Sequence, residues 1–159
     1  MLGSAYLDLH FVVQDLPTTL ASRTSRVPDS LASRVTFQPH DFFTPQPISD
    51  ADFYLMRMII HDWADSDALK ILGHIANAMK PTARLLIMDT VLPAPGEGPI
   101  LYEAMLRVRD LTMLEAFNSR ERDIEDWKQL IEAVEPKLEL VGRELPHGSA
   151  MEILQLQRQ

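Results

Sequence analysis

Cysteine is absent from this 159-residue sequence, which excludes disulfide bonds and thiolate chemistry and is compatible with a reducing cytosol. No apolar run approaches the roughly 20 residues that a bilayer span needs. The amino-terminal stretch does not follow the pattern of a signal peptide. We therefore expect a cytoplasmic protein without a membrane partner.

Basic residues are also few, since 15 Lys and Arg stand against 23 Asp and Glu and give a formal net charge of -8. Nucleic acids and anionic membranes attract basic surfaces, so neither is expected as a partner. The 5 histidines show no paired ligand spacing, and no metal site is expected.

Glycine is scarce, and none of the 6 glycines belongs to a G-x-G-x-x-G cluster or a comparable phosphate-type loop. Apolar residues are plentiful: 46% of the chain is hydrophobic and 24% is charged, which is typical of a globular protein. The length predicts one domain over residues 1–159 with a core of its own.

The most informative stretch is an apolar run at about 52–60 that ends abruptly in His61, Asp62 and Trp63. A buried parallel strand delivers polar side chains in this way to the carboxyl edge of an α/β sheet, where ligands bind. The remaining pattern predicts a mostly parallel α/β sheet with an antiparallel hairpin at its end. Its other strands are expected at 9–14, 34–38, 85–88, 138–144 and 150–157, and its helices within 18–33 and at 66–80, 100–117 and 123–132. One face of the 100–117 helix is apolar, with Leu101, Met105, Val108, Leu111 and Leu114.

Acidic residues follow several of the predicted strands, at Asp15, Asp41 and Asp89. Carboxylates at successive carboxyl ends can accept hydrogen bonds from ribose hydroxyls and from an adenine amino group. Asp is also common after strands because it favours turns and helix caps, so each residue alone is equally compatible with a turn.

His61 is the candidate general base. A carboxylate against one imidazole nitrogen fixes the tautomer and leaves the other nitrogen able to take a proton, and Asp89 and Glu121 are the candidates for that role. The alternatives are a core imidazole or a polar loop residue for His61. For Glu121, which lies between Arg120 and Arg122, the alternative is a solvated charge cluster.

From Leu9 onward the sequence resembles the carboxyl-terminal half of the S-adenosylmethionine-dependent O-methyltransferases of the plant and fungal caffeate type. The ordered segments 11–17, 40–43, 61–63 and 120–122 carry the resemblance. It implies a Rossmann-like fold, S-adenosyl-L-methionine as cofactor, and methyl transfer to a hydroxyl of a small aromatic or polyketide-like acceptor. The full-length form would be a candidate homodimer.

The resemblance also implies roles for individual residues. The cofactor would be held by Asp15 at the ribose, by Asp41 and Phe42 at the adenine, and by Arg57, where the family often has Lys. His61 would be the catalytic base, Asp62 would assist it, and Asp89 and Glu121 would flank and orient it.

The sequence departs from the family in two ways. Asp89 stands where the family usually has Glu, which shortens its reach to His61 by one methylene. The family's glycine-rich loop, its first strand and its dimerisation domain would precede Leu9. A partial catalytic domain without the first strand is therefore expected, with unpaired edges on the strands that flank the gap.

Three hypotheses from different functional classes follow. In the first, the chain is part of an O-methyltransferase. In the second it is a truncated non-catalytic remnant or binding module, and in the third it has a methyltransferase-like fold that catalyses a cyclisation.

Overall fold

The computed structural model describes residues 2–21 and 27–159, which form two compact units, Met1–Thr44 and Pro45–Gln159. The short helix expected within 18–33 lies partly at 22–26, outside the described residues. In the described part of that stretch, a short helix ends at Leu20 and a 3-10 helix spans Asp29–Arg34. The prediction of a single domain over 1–159 stays a prediction.

The first unit contains a pair of parallel strands whose carboxyl ends coincide. Its elements are α1 (Leu2–Ala5), β1 (Phe11–Asp15), α2 (Pro17–Leu20) and β2 (Val35–Pro39). Proline has no N–H and suits the first position of a helix, so β1 stops and α2 begins at Pro17. Asp15 is level with Pro39, and the amide of His40 donates to the Asp15 carbonyl at 3.0 Å.

The second unit is built on a four-stranded sheet in the order β3, β4, β8, β7. The strands are β3 (Phe53–Arg57), β4 (Arg84–Asp89), β7 (Leu138–Glu144) and β8 (Glu152–Arg158). β3 and β4 are parallel, whereas β8 is antiparallel to both β4 and β7. A separate parallel pair joins β5 (Val91–Leu92) to β6 (Arg122–Asp123). The predicted α/β arrangement with an antiparallel end hairpin is confirmed.

Strand β3 is shorter and less buried than the sequence predicts. It ends at Arg57 because Met58 has a φ of 53°, a left-handed conformation that does not fit in a strand. The chain then enters a 3-10 helix over Ile60–Asp62. Phe53 and Leu55 are 60% and 56% exposed, so the expectation that this strand is buried was wrong. β3 lies at the edge of its sheet, where alternate side chains can face solvent.

Three helices complete the second unit: α3 (Asp65–Ala78), α4 (Ile100–Phe117) and α5 (Ile124–Glu132). α3 buries a stripe at helical spacing that includes Ile71, Leu72 and Ile75, and α5 buries Trp127, Leu130 and Ile131. The apolar face expected on α4 is instead exposed, and the buried residues of this helix are Leu106 and Met113. None of the helices in the described ranges is long and apolar enough to cross a membrane.

We expect the Asp123→Ala substitution to lower the free energy of unfolding by about 1 kcal/mol. Asp123 caps α5: its Oδ1 accepts from the Asp126 amide at 2.8 Å, and the Asp126 carboxylate accepts from the Asp123 amide. Chemical denaturation followed by tryptophan fluorescence measures the loss. Glu139→Ala, which removes an exposed carboxylate from β7, is the control and should change stability little. Equal stability losses in the two variants would contradict the capping role.

Candidate active site

The centre of the site is His61, which occupies the middle of the 3-10 helix Ile60–Asp62 after β3. The residue is only 3% exposed. The sharp turn at Met58 directs the chain away from the strand just before the imidazole, so the ring lies beyond the carboxyl end of β3.

Three carboxylates surround the imidazole of His61. Its Nδ1 lies 3.1 Å from Oε1 of Glu121, within hydrogen-bonding distance. Its Nε2 lies 3.4 Å from Oδ1 of Asp62 and 3.9 Å from Oδ1 of Asp89. The structure therefore brings all four predicted catalytic residues together, but Asp89 is too distant for a direct hydrogen bond to the ring.

The short β5–β6 ladder explains why Asp89 and Glu121 meet at the same ring. Val91 pairs with Arg122 in parallel register, which sets the preceding segments of both strands side by side. Asp110 of α4 accepts from the Glu121 amide at 2.9 Å, and the Arg109 Nε lies 3.4 Å from the Glu121 carboxylate. Consecutive residues of α4 thus contact both the backbone and the side chain of Glu121.

Two further residues hold the backbone around His61, and sequence reasoning missed both of them. The Ser119 hydroxyl donates to the His61 carbonyl at 2.7 Å, and the Arg122 guanidinium donates to the carbonyls of Ile60 and Trp63. Glu121 and Arg122 are 2% and 1% exposed, so the alternative of a solvated charge cluster at 120–122 was wrong. The only signal for Arg122 in the sequence was its position next to Glu121.

The carboxylates change the acidity of His61. Burial lowers the pKa of the imidazole, but the hydrogen bond to Glu121 and the charges of Asp89, Glu121 and Asp62 outweigh burial and raise the pKa above 6.5. A stronger base close to the operating pH is suited to accept a proton from a substrate.

Asp89 is an unusual carboxyl group because it is 1% exposed. Burial raises its pKa to about 6, the positive charge on His61 opposes this shift, and the negative charge of Glu121 adds to it. The backbone amides of His61 and Ile60 also lower this pKa. Within residues 2–21 and 27–159, however, neither carboxylate oxygen reaches a partner at hydrogen-bonding distance and angle.

The residues expected at the cofactor lie in both units. In the first unit, Asp15 and Asp41 follow the same edge of the β1–β2 pair and are exposed, and Phe42 is half-buried. Oδ1 of Asp15 accepts from the Leu16 amide at 2.8 Å, and Oδ1 of Asp41 accepts from the Phe43 amide at 3.0 Å. In the second unit, Arg57 is the exposed last residue of β3. In the described part of the chain, no group of three or more His, Asp or Glu side chains is arranged to hold a metal ion.

Comparison with known proteins identifies the class. The model of the O-methyltransferase domain family matches residues 1–134. O-methyltransferase pgmB of Aspergillus terreus is 52% identical over 98% of this chain, which covers 45% of that relative. The chain therefore belongs to the O-methyltransferase domain family, and it spans less than half the length of this curated relative.

Solved structures agree with this assignment. A structure of LepI in complex with SAM has a TM-score of 0.87 at 28% identity, covering 99% of this chain and 39% of that one. A structure described as a pericyclic reaction enzyme has a TM-score of 0.86 at 28% identity, with the same coverage. The fold is the Rossmann-like α/β fold of the S-adenosylmethionine-dependent methyltransferases, and a structure of the mitomycin 7-O-methyltransferase MmcR has a TM-score of 0.82 at 28% identity, covering 99% of this chain and 44% of that one.

Proposed function

We propose that this chain belongs to an enzyme that transfers a methyl group from S-adenosyl-L-methionine to a hydroxyl of a small aromatic or polyketide-like acceptor, with His61 as the general base. The observation that carries the proposal is the buried imidazole, held at Nδ1 by Glu121 while Nε2 lies opposite that contact. A carboxylate at Nδ1 fixes the tautomer in which Nε2 carries a lone pair.

In this proposal His61 does one task, which is to take the proton from the acceptor hydroxyl at Nε2. Glu121 accepts the Nδ1 hydrogen bond and stabilises the imidazolium that results. Asp62, 3.4 Å from Nε2, adds negative charge at the same nitrogen. The cofactor supplies an electrophilic methyl group on a sulfonium. Burial of the base keeps bulk water from competing for the proton.

The chemistry of the residues at the strand ends fits the cofactor. Asp15 would hold the ribose, because exposed carboxylates accept hydrogen bonds from hydroxyl groups. Asp41 and Phe42 would hold and pack the adenine, and Arg57 would contact the cofactor from the end of β3. In Asp15 and Asp41, a local amide bonded to Oδ1 orients the carboxylate.

The proposal is tested with the purified enzyme that contains this chain. Calorimetric titration with S-adenosylhomocysteine should show saturable binding. Incubation with S-adenosyl-L-methionine and a panel of phenolic polyketides should yield a product heavier by one methylene, detected by mass spectrometry. Absence of both binding and product would contradict the proposal and would favour a non-catalytic remnant.

A second candidate function is supported by the likeness to the pericyclic reaction enzyme. The site around His61 would then promote a cyclisation without methyl transfer. The mass measurement separates the two candidates, because a cyclised product that forms by rearrangement has the mass of its precursor. A product of unchanged mass with altered retention time would favour this second candidate.

A further inference from the structure

Glu121 and Arg122 are consecutive residues, and both are buried against the turn that carries His61. Glu121 contacts the imidazole ring, whereas Arg122 contacts the backbone on both sides of it. One short segment of chain therefore determines where the ring sits and where the turn beneath it sits.

The guanidinium of Arg122 donates hydrogen bonds to three residues around the turn. Its Nη1 donates to the Ile60 carbonyl at 3.1 Å, and its Nη2 donates to the Trp63 carbonyl at 2.9 Å. Its Nε and Nη2 reach Oδ1 of Asp65 at 3.0 and 2.6 Å, and the cation lies 5.5 Å from the centre of the Trp127 ring. Buried carbonyls of an irregular turn need donors from elsewhere, and a planar fork of five N–H groups can serve several at once.

Ser119 completes this arrangement, since its hydroxyl donates to the carbonyl of His61 itself. The carbonyls of residues 60, 61 and 63 are thus all held by the 119–122 segment. The turn's own hydrogen bonds, from the amides of Asp62 and Trp63, do not fix its position relative to Glu121.

We propose that Arg122, supported by Ser119, is a positioning residue that keeps the His61 Nδ1 in line with the Glu121 carboxylate. Its role in catalysis rests on the function proposed for His61, but the geometric claim concerns the imidazole alone. A purely structural role for Arg122 would change stability and leave the acidity of His61 as it is.

The Arg122→Lys variant of the full 159-residue chain tests the proposal by nuclear magnetic resonance of the histidine ring. Lysine keeps the positive charge but cannot reach two carbonyls and Asp65 with a planar fork. We expect loss of the low-field Nδ1 proton signal of His61 and a lower pKa of its imidazole than in wild type, because the Glu121 hydrogen bond raises that pKa. The substitution leaves the other charged residues near the ring unchanged. These are Asp62 and Asp89, which lie close to Nε2, and Arg109, which lies beside Glu121.

Arg120→Gln is the matched control. Arg120 also pairs with Asp65, at 3.2 Å, but its side chain is half exposed and its second partner is Asp126. This variant should leave the His61 signal and pKa unchanged. An equal shift in Arg120→Gln would overturn the proposal, because the effect would then come from Asp65 or from charge rather than from the turn.

The proposal is also overturned if Arg122→Lys is folded, as judged by its unfolding midpoint, and keeps the wild-type His61 signal and pKa. Should Arg122→Lys fail to fold, Ser119→Ala decides by the same measurement, since it removes the hydroxyl that donates to the His61 carbonyl. A shift in the same direction supports the proposal and no shift overturns it. The resonance experiment needs no turnover, so its outcome is independent of whether the methyl-transfer assay succeeds.

Discussion

His61→Ala lowers the turnover number of methyl transfer by about 10²- to 10⁴-fold, which is the usual contribution of a positioned general base. A phenolic hydroxyl with a pKa of about 10 is mostly protonated at neutral pH and is then a poor nucleophile. In the proposed mechanism the imidazole, whose pKa is raised by its carboxylate neighbours, would remove this proton as the reaction proceeds. Steady-state rates, measured by mass spectrometry of the product at saturating cofactor, give the ratio of the turnover numbers of wild type and variant.

The effect should be confined to the chemical step. None of the residues expected at the cofactor is changed, so the affinity for S-adenosylhomocysteine should match that of wild type. His147→Ala removes an exposed histidine from the loop between β7 and β8 and should retain full turnover. Turnover of His61→Ala within a few-fold of wild type would refute the role of His61 as the base.

Asp89→Asn stabilises the protein by about 2–3 kcal/mol near neutral pH. The pKa of Asp89 is raised from 3.8 to about 6, so the folded protein binds this proton more tightly than the unfolded chain does. Each unit of pKa difference is worth about 1.4 kcal/mol, and the stability of wild type therefore falls as the pH rises through this interval. The neutral amide of the Asp89→Asn variant has no such proton to lose. It also lacks the attraction between the carboxylate and a protonated His61, which reduces the gain in stability.

Urea denaturation of both proteins at a series of pH values from about 4 to 7 checks this prediction. Both tryptophans, Trp63 and Trp127, lie in the unit that contains Asp89. Their fluorescence therefore reports on the relevant unfolding. The stability difference should be small at the acidic end, grow with pH and level off above pH 6. Asp62→Asn, at a partly exposed carboxylate, should change stability by less than about 1 kcal/mol. An Asp89→Asn variant that is less stable than wild type at neutral pH would contradict the argument.

Much of the fold was predictable because its signals are local. Pro99 precedes α4 and Asn118 ends it in a left-handed conformation, and the predicted helix at 100–117 matches the observed one. The end of β3 was not predictable in this way. The left-handed Met58 arises from the packing of the turn, since methionine has no preference for that conformation. The exposure of β3 and of the apolar face of α4 also depends on what covers them, which periodicity does not encode.

The members of the candidate site were predicted, but their geometry was not. The resemblance placed His61, Asp62, Asp89 and Glu121 in one site, and the structure brings them to the same ring. The roles assigned to them, and to the residues expected at the cofactor, stay predictions. The burial of Arg122 was hidden because a run of alternating charges normally indicates a solvated surface. Only the contacts that a charged side chain makes in the folded structure show whether it is buried or solvated.

The ladder that joins β5 to β6 is two residues long, and this shortness limits how the protein can vary in length. Adding or removing one residue between Asp89 and Val91, or adding one between Glu121 and Arg122, would shift one carboxylate relative to the ring. No third strand among the described residues pairs with this ladder to absorb the change. Natural insertions and deletions should therefore be tolerated in the 93–99 loop and be absent from 89–91 and 119–123.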